Sequence, residues 1–190
     1  MDQGLAALVA GILGVGGGIV GAVFGGTRGA RIAGEKAVEA ALTQVNSQAE
    51  VEHSRWVKEH RHQACVRLLE ASAAADEALR QASLEIRQGR GFPDAERDAA
   101  TRNVQVMGTI CSELALWKPE ELQQFARRLQ VETMESIRLL KLAEPGAHGA
   151  EGTPQERWAR WREAGELKAL ARTAFIDYAG SVLRNPQQQL

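Results

Sequence analysis

The strongest constraint on this chain is a stretch near its start with no charged side chain between Asp2 and Arg28. Within it, Leu5–Gly25 (LAALVAGILGVGGGIVGAVFG) is 21 residues built only from Leu, Ile, Val, Phe, Ala and Gly. As a helix it would extend about 31 Å, matching the roughly 30 Å hydrocarbon core of a bilayer. Ten of its residues are Leu, Ile, Val or Phe, and each favours insertion by about 0.3–0.6 kcal/mol. Seven are glycine, costly in a water-exposed helix but better tolerated in membrane helices. A secretory signal would carry positive charge before the apolar run and a small-residue cleavage site after it. Here Met-Asp-Gln-Gly precedes and Thr27-Arg28-Gly29-Ala30-Arg31 follows. The expectation is an uncleaved membrane-spanning helix over residues 1–27, favoured over a cleaved signal or a buried soluble hairpin. Arg28, Arg31 and Lys36 all follow the run. The positive-inside rule then keeps the C-terminal side in the cytoplasm, as a single-pass protein of the cell membrane.

Gly17, Gly21, Gly25 and Gly29 recur every four residues, and Ala10, Gly14, Gly18, Ala22 and Gly26 form a second such row. Small residues at this spacing let membrane helices approach backbone to backbone. Self-association in the bilayer through Gly14, Gly17, Gly18, Gly21, Gly25 and Gly29, a glycine zipper giving a homo-oligomer, is the functional expectation. Chance spacing in a glycine-rich span is the plainer one.

The rest of the chain reads as all-α. No proline interrupts residues 34–88. Val38, Leu42, Val45 and Ala49 step by four, three and four, an apolar helix seam. A helical stalk is expected over 28–50, then a bundle over 51–186 and a tail over 187–190. In the first bundle helix Cys65, Leu69, Ser72, Asp76, Leu79, Ala82 and Ile86 mark the core face, and Arg87–Pro93 (RQGRGFP) is a turn. Ala100, Val104, Met107, Cys111 and Leu114 mark a second helix over 94–116. The residue before Pro119 is pushed out of helical geometry, and Pro119 is a favoured first residue for a third helix. That helix carries Leu122, Phe125, Ala126, Leu129, Ile137 and Leu140. Thr153-Pro154-Gln155-Glu156 is a capping box that starts a fourth helix, whose apolar set is Trp158, Trp161, Leu167, Ala171, Ala174, Tyr178 and Val182. Four amphipathic helices pack naturally as an up-and-down bundle, since each must bury one stripe.

Composition narrows function. With 23 Lys+Arg against 24 Asp+Glu the net charge is −1, which argues against a nucleic-acid partner. No Gly-Lys pair and no Gly-x-Ser-x-Gly occurs, so neither a phosphate loop nor a nucleophile elbow is present. Glu50-Val51-Glu52-His53 and Glu59-His60-Arg61-His62 both read as Glu-x-x-His, the element of di-iron bundles. Both lie on one helix about 13 Å apart, too far to share a metal pair, so no metal and no other cofactor is expected. Cys65 and Cys111 fall on apolar seams and read as buried thiols. Trp158 and Trp161 beside Arg157, Arg160 and Arg162 read as core filling with solvated arginines, ahead of an aromatic-basic patch.

The segment Glu52-His53-Ser54-Arg55-Trp56-Val57-Lys58-Glu59-His60-Arg61, with Ala64 and Leu68-Leu69-Glu70-Ala71 after it, resembles a diffuse group of actinobacterial helical proteins with an N-terminal apolar segment. The likeness spans residues 1–90. It departs at Cys65-Val66-Arg67, where that group carries an aromatic before its leucine pair. The resemblance implies a helical, membrane-tethered bacterial chain and brings no catalytic residue with it.

The functional expectation is a non-enzymatic, membrane-anchored scaffold that displays its bundle to a partner protein. Arg55, Trp56, Glu59 and Arg61 form the expected docking stripe. The alternative is a membrane-active effector or pore former whose glycine-rich helix is held in a soluble form and released to oligomerise in lipid.

Overall fold

The computed structural model describes residues 28–117, 119–147 and 151–184, with side chains from residue 39 onward. The expected membrane span, five of the six association glycines (Gly29 excepted) and the tail lie outside these residues. Among the described residues every regular element is a helix: α1 Arg28–Arg87, α2 Asp94–Leu114, α3 Glu120–Leu142 and α4 Pro154–Arg184. None is long and apolar enough to cross a membrane. By contact the chain divides into two compact units, Met1–Arg55 and Trp56–Leu190.

The described part of the first unit is α1 up to Arg55. Its side chains from residue 39 are exposed except for a half-buried Ala41. The apolar seam there is open to solvent, with Leu42 and Val45 each 59% exposed.

In the second unit, local chemistry sets the helix ends. Gly89 adopts φ +81°, a conformation that costs glycine nothing, and Arg90 N–H donates to Glu85 O at 3.1 Å to close α1. Asp94 and Glu96 sit in the first turn of α2 and Glu120 and Glu121 in that of α3, where carboxylates complement the helix dipole. Pro119 stands one position earlier than the sequence suggests. It is the N-cap of α3 at φ −85°, ψ 153°, and its carbonyl accepts Leu122 N–H at 3.2 Å. The capping box of α4 forms in both directions: Thr153 N–H donates to Glu156 Oε2 at 2.7 Å, and Glu156 N–H to Thr153 Oγ1 at 3.3 Å.

Two apolar clusters fill the bundle. Leu68, Met107, Leu114, Leu122, Leu129 and Phe175 belong to the first, together with both cysteines. Leu79, Ile86, Phe92, Ala100 and Leu140 belong to the second, with Trp158 and Trp161 packed against it. The early part of α1 in this unit thus meets the late part of α2, the early part of α3 and the late part of α4, so successive helices alternate in direction. Buried polar groups lie at the level between the clusters: Ser72, Thr133 and Ser136 are at most 1% exposed. Thr133 and Ser136 hydroxyls donate to the carbonyls of Leu129 and Glu132, at 2.8 and 2.9 Å. At the same level Lys168 Nζ lies 2.5 Å from Asp76 Oδ1.

The core faces differ from expectation in three helices; in α3, Phe125 and Ile137 only pack against the cluster edges, and Thr133 and Ser136 are buried instead. Leu167, expected inside, is 43% exposed, whereas Phe175 is fully buried. Ala164, Ala171 and Ala179 line the buried side of α4 with Phe175 and Val182. Small side chains bring the backbone close to its neighbours, and Leu167 falls about 60° around the helix from Ala164. In α1 the fully buried leucine is Leu68, while Leu69 only packs against the cluster edge.

Candidate interaction surface

The aromatic side chains at the start of the second unit form its most distinctive surface. Trp56 and His60 are one turn apart on α1, a spacing that stacks side chains on one helix face. Their ring centroids are 4.3 Å apart at 69°. Trp117 joins them from the corner between α2 and α3. α2 stops at Leu114, and two tight turns follow, Leu116 N–H donating to Glu113 O at 3.0 Å and Trp117 N–H to Leu114 O at 3.1 Å. They bring the Trp117 ring edge-on to Trp56, with centroids 5.4 Å apart at 68°. His60 lies almost parallel to Trp117, at 6.5 Å and 3°. Trp56 keeps half of its surface in solvent, and Leu116, next to Trp117, is 78% exposed. A half-exposed tryptophan braced by other rings is the type of group that anchors protein interfaces, because its rotamer is already restricted.

The expected docking stripe is only partly gathered. Glu59 is exposed on this side and accepts a hydrogen bond from Gln63 Nε2 at 3.0 Å. Arg55 is exposed and closes the first unit. Arg61 departs from the stripe. It lies about 140° around the helix from Trp56, and its Nε is buried with no hydrogen-bond acceptor. Burial pulls its guanidinium below the ordinary arginine value, partly offset by the neighbouring Cys65. Trp117 and Leu116 take its place on the surface. Sequence periodicity could not find them, since they belong to a turn brought to α1 by the chain reversal.

Beside the aromatic group, Arg67 Nη2 reaches both Glu113 carboxylate oxygens, at 2.7 and 2.6 Å, and joins α1 to α2. With side chains 51% and 32% exposed, such a pair contributes about 0–1 kcal/mol and serves mainly to hold the register of the two helices. A shallow cleft of about 700 Å³ opens alongside it, between His60 and Glu113.

A second groove of about 460 Å³ is lined by α3 and α4. Arg157 crosses it, Nη1 donating to Leu142 O at 2.9 Å, while Arg138 pairs with Glu135 at 2.6 Å and holds that carboxyl below its usual range. Arg160 and three further glutamates, 132, 151 and 163, complete a lining of mixed sign. Trp158 and Trp161 meet edge to face at 5.5 Å and 86°, with the Arg87 guanidinium 5.1 Å over Trp158. They close the second core cluster instead of presenting an aromatic-basic patch.

Titration chemistry is muted. Burial pushes the Cys65 and Cys111 thiols up to about 11, so both stay protonated and weakly nucleophilic at neutral pH. Tyr178 is also raised, first by burial and then by Glu121, whose Oε2 accepts its hydroxyl at 3.4 Å. Among the described residues no three of His, Cys, Asp and Glu gather closely enough to hold a metal ion. Comparison of the chain with family models, with curated proteins and with solved structures finds no match.

Proposed function

We propose that this chain is a non-enzymatic, membrane-anchored interaction protein that presents a helical bundle to a partner protein in the cytoplasm. The carrying observation is the uncharged run Leu5–Gly25, followed within three residues by Arg28 and the start of α1. An apolar stretch of bilayer length has few low-energy places other than lipid, and the cations after it favour the cytoplasmic side. The glycine rows would let copies associate within the membrane. Trp56, braced by His60 and Trp117 and flanked by Leu116, supplies the bundle with an anchor for docking.

Membranes from cells expressing the full chain, washed with alkaline carbonate, test the anchor. Retention in the pellet is expected. Release to the supernatant overturns it and favours the alternative, a soluble form that enters lipid only when triggered. For the docking face, Trp56→Ala should abolish capture of the partner while leaving the helical circular dichroism unchanged, and retained capture would remove Trp56 from that role.

A further inference from the structure

We infer that copies of this chain pair in parallel through the Val38–Ala49 face of α1, residue against the same residue, as a short coiled coil. The inference rests on the membrane-anchored reading and names the partner of its first unit.

The described side chains of this unit lie open to water on nearly all sides, and a single helix without tertiary packing is marginal in water. Between residues 38 and 49 its larger apolar residues share one face, whereas Val51, also 59% exposed, lies about 150° around the helix from it. Val38, Leu42, Val45 and Ala49 are spaced four, three and four, which is the alternation of seam positions in a two-stranded coil and keeps them within an arc of about 60°. Leu42, Val45 and Ala49 are all exposed, the first two at 59% each. The opposite side carries Thr43, Gln44 and Ser47, whose two hydroxyls are turned back onto the carbonyls of Glu39 and Gln44.

Two observations make the occupant a second copy. The apolar run ends at Gly25 and α1 begins at Arg28, so copies sharing a bilayer leave it side by side, in one direction and at one level. That alignment places Leu42 opposite Leu42. Confinement also supplies the high effective concentration that a seam of only two heptads needs. The flanking positions are the second observation. Ala41, Asn46 and Gln48 carry no charge, and Glu39 would stand opposite Gly34 of the other copy. Identical strands therefore meet in parallel without like-charge repulsion.

Disulfide scanning of the full chain in membranes tests this. Leu42→Cys and Val45→Cys are compared with Gln44→Cys and Ser47→Cys on the opposite face. The unsubstituted chain is the background, its two buried thiols held near 11. After mild oxidation the seam variants should form covalent dimers at least roughly fivefold more than the opposite-face variants, because a disulfide needs Cβ atoms about 4 Å apart. Equal or absent cross-linking in chain that stays in the carbonate pellet overturns the pairing and leaves the anchor standing. Release from the pellet with the seam pattern intact overturns the anchor and supports the pairing. Release without the pattern overturns both.

Discussion

Lys168 Nζ sits 2.5 Å from Asp76 Oδ1, joining α4 to α1 at the level between the two apolar clusters. Only 14% of the lysine side chain is exposed, against 32% for the aspartate. Removing one partner leaves the other charge poorly solvated, whereas a shape-matched apolar replacement does not. Lys168→Ala should therefore lower stability by about 1–2 kcal/mol, below the figure for a fully buried pair because Asp76 retains solvent. The double replacement Asp76→Leu with Lys168→Met should recover most of the loss. Urea unfolding of the unsubstituted chain, Asp76→Leu, Lys168→Met and their combination closes a double-mutant cycle that reads the coupling, and additive effects would mean the two charges do not interact.

The capping box of α4 yields a second expectation. Thr153 Oγ1 accepts the Glu156 N–H at 3.3 Å, one of the donors that a helix start leaves without a partner. Thr153→Ala should cost about 1 kcal/mol, and Thr153→Ser should restore most of it. An unchanged unfolding midpoint for Thr153→Ala would place the start of α4 under the control of packing alone.

Gly165 lies inside α4, and a Cβ added there would meet nothing within 4 Å. Glycine in a helix interior is less favourable than alanine by about 0.8–1 kcal/mol. Gly165→Ala should stabilise the bundle by about that amount, raising its thermal midpoint. Gly108 provides the contrast, since an added Cβ would come 2.8 Å from Gln130 Nε2. Gly108→Ala must displace that side chain from Val104 O, which it contacts at 3.4 Å, and should gain less.

Stability should fall at both extremes of pH, for opposite reasons. Hydrogen bonds from Arg80 and Gln81 hold Glu77 down at about 2, and Glu135 and Glu156 are lowered by Arg138 and by Thr153. A carboxyl depressed by folding stabilises the native state above its unfolded value and loses that contribution as pH falls through the folded one. The acid loss should thus begin below about 4.5 and continue towards about 2. Cys65 and Cys111 are raised from 9.0 to about 11. The unfolded chain then binds fewer protons than the native one between those values, so stability declines across pH 9 to 11. Unfolding midpoints measured from pH 2 to 11 check both limbs. A shallower decline above pH 9 in the Cys65→Ala, Cys111→Ala protein would assign its share of the alkaline limb to the thiols, the remainder belonging to Tyr178, whose hydroxyl is also raised.

The candidate surface was only partly legible in the sequence. Trp56 and Glu59 could be placed on one side of α1 because they are three residues apart on a helix. Arg61 is close to them in sequence, yet the helical turn carries it towards Cys65 and into a poorly solvated position. Trp117 read as a break before Pro119, and its contact with Trp56 arises from the reversal of chain direction between α2 and α3. The groove spanned by Arg157 between α3 and α4 had no local signature, because its lining comes from two helices and the connection between them.

By itself the sequence determined the all-helical class, the starts of α2 and α4, the start of α3 to within one residue and the stop of α1, because these depend on proline geometry, glycine at positive φ and side chains capping backbone groups a few residues away. It also determined the core face of α2, where Ala100, Val104, Met107, Cys111 and Leu114 are all buried. Tertiary structure alone decided which side of α4 turns inward, putting Ala164, Ala171 and Phe175 in the core and Leu167 outside. It alone paired Lys168 with Asp76 and Arg67 with Glu113. The physical reason is range: capping and backbone geometry act within one turn, whereas burial and charge pairing depend on the helix that arrives opposite.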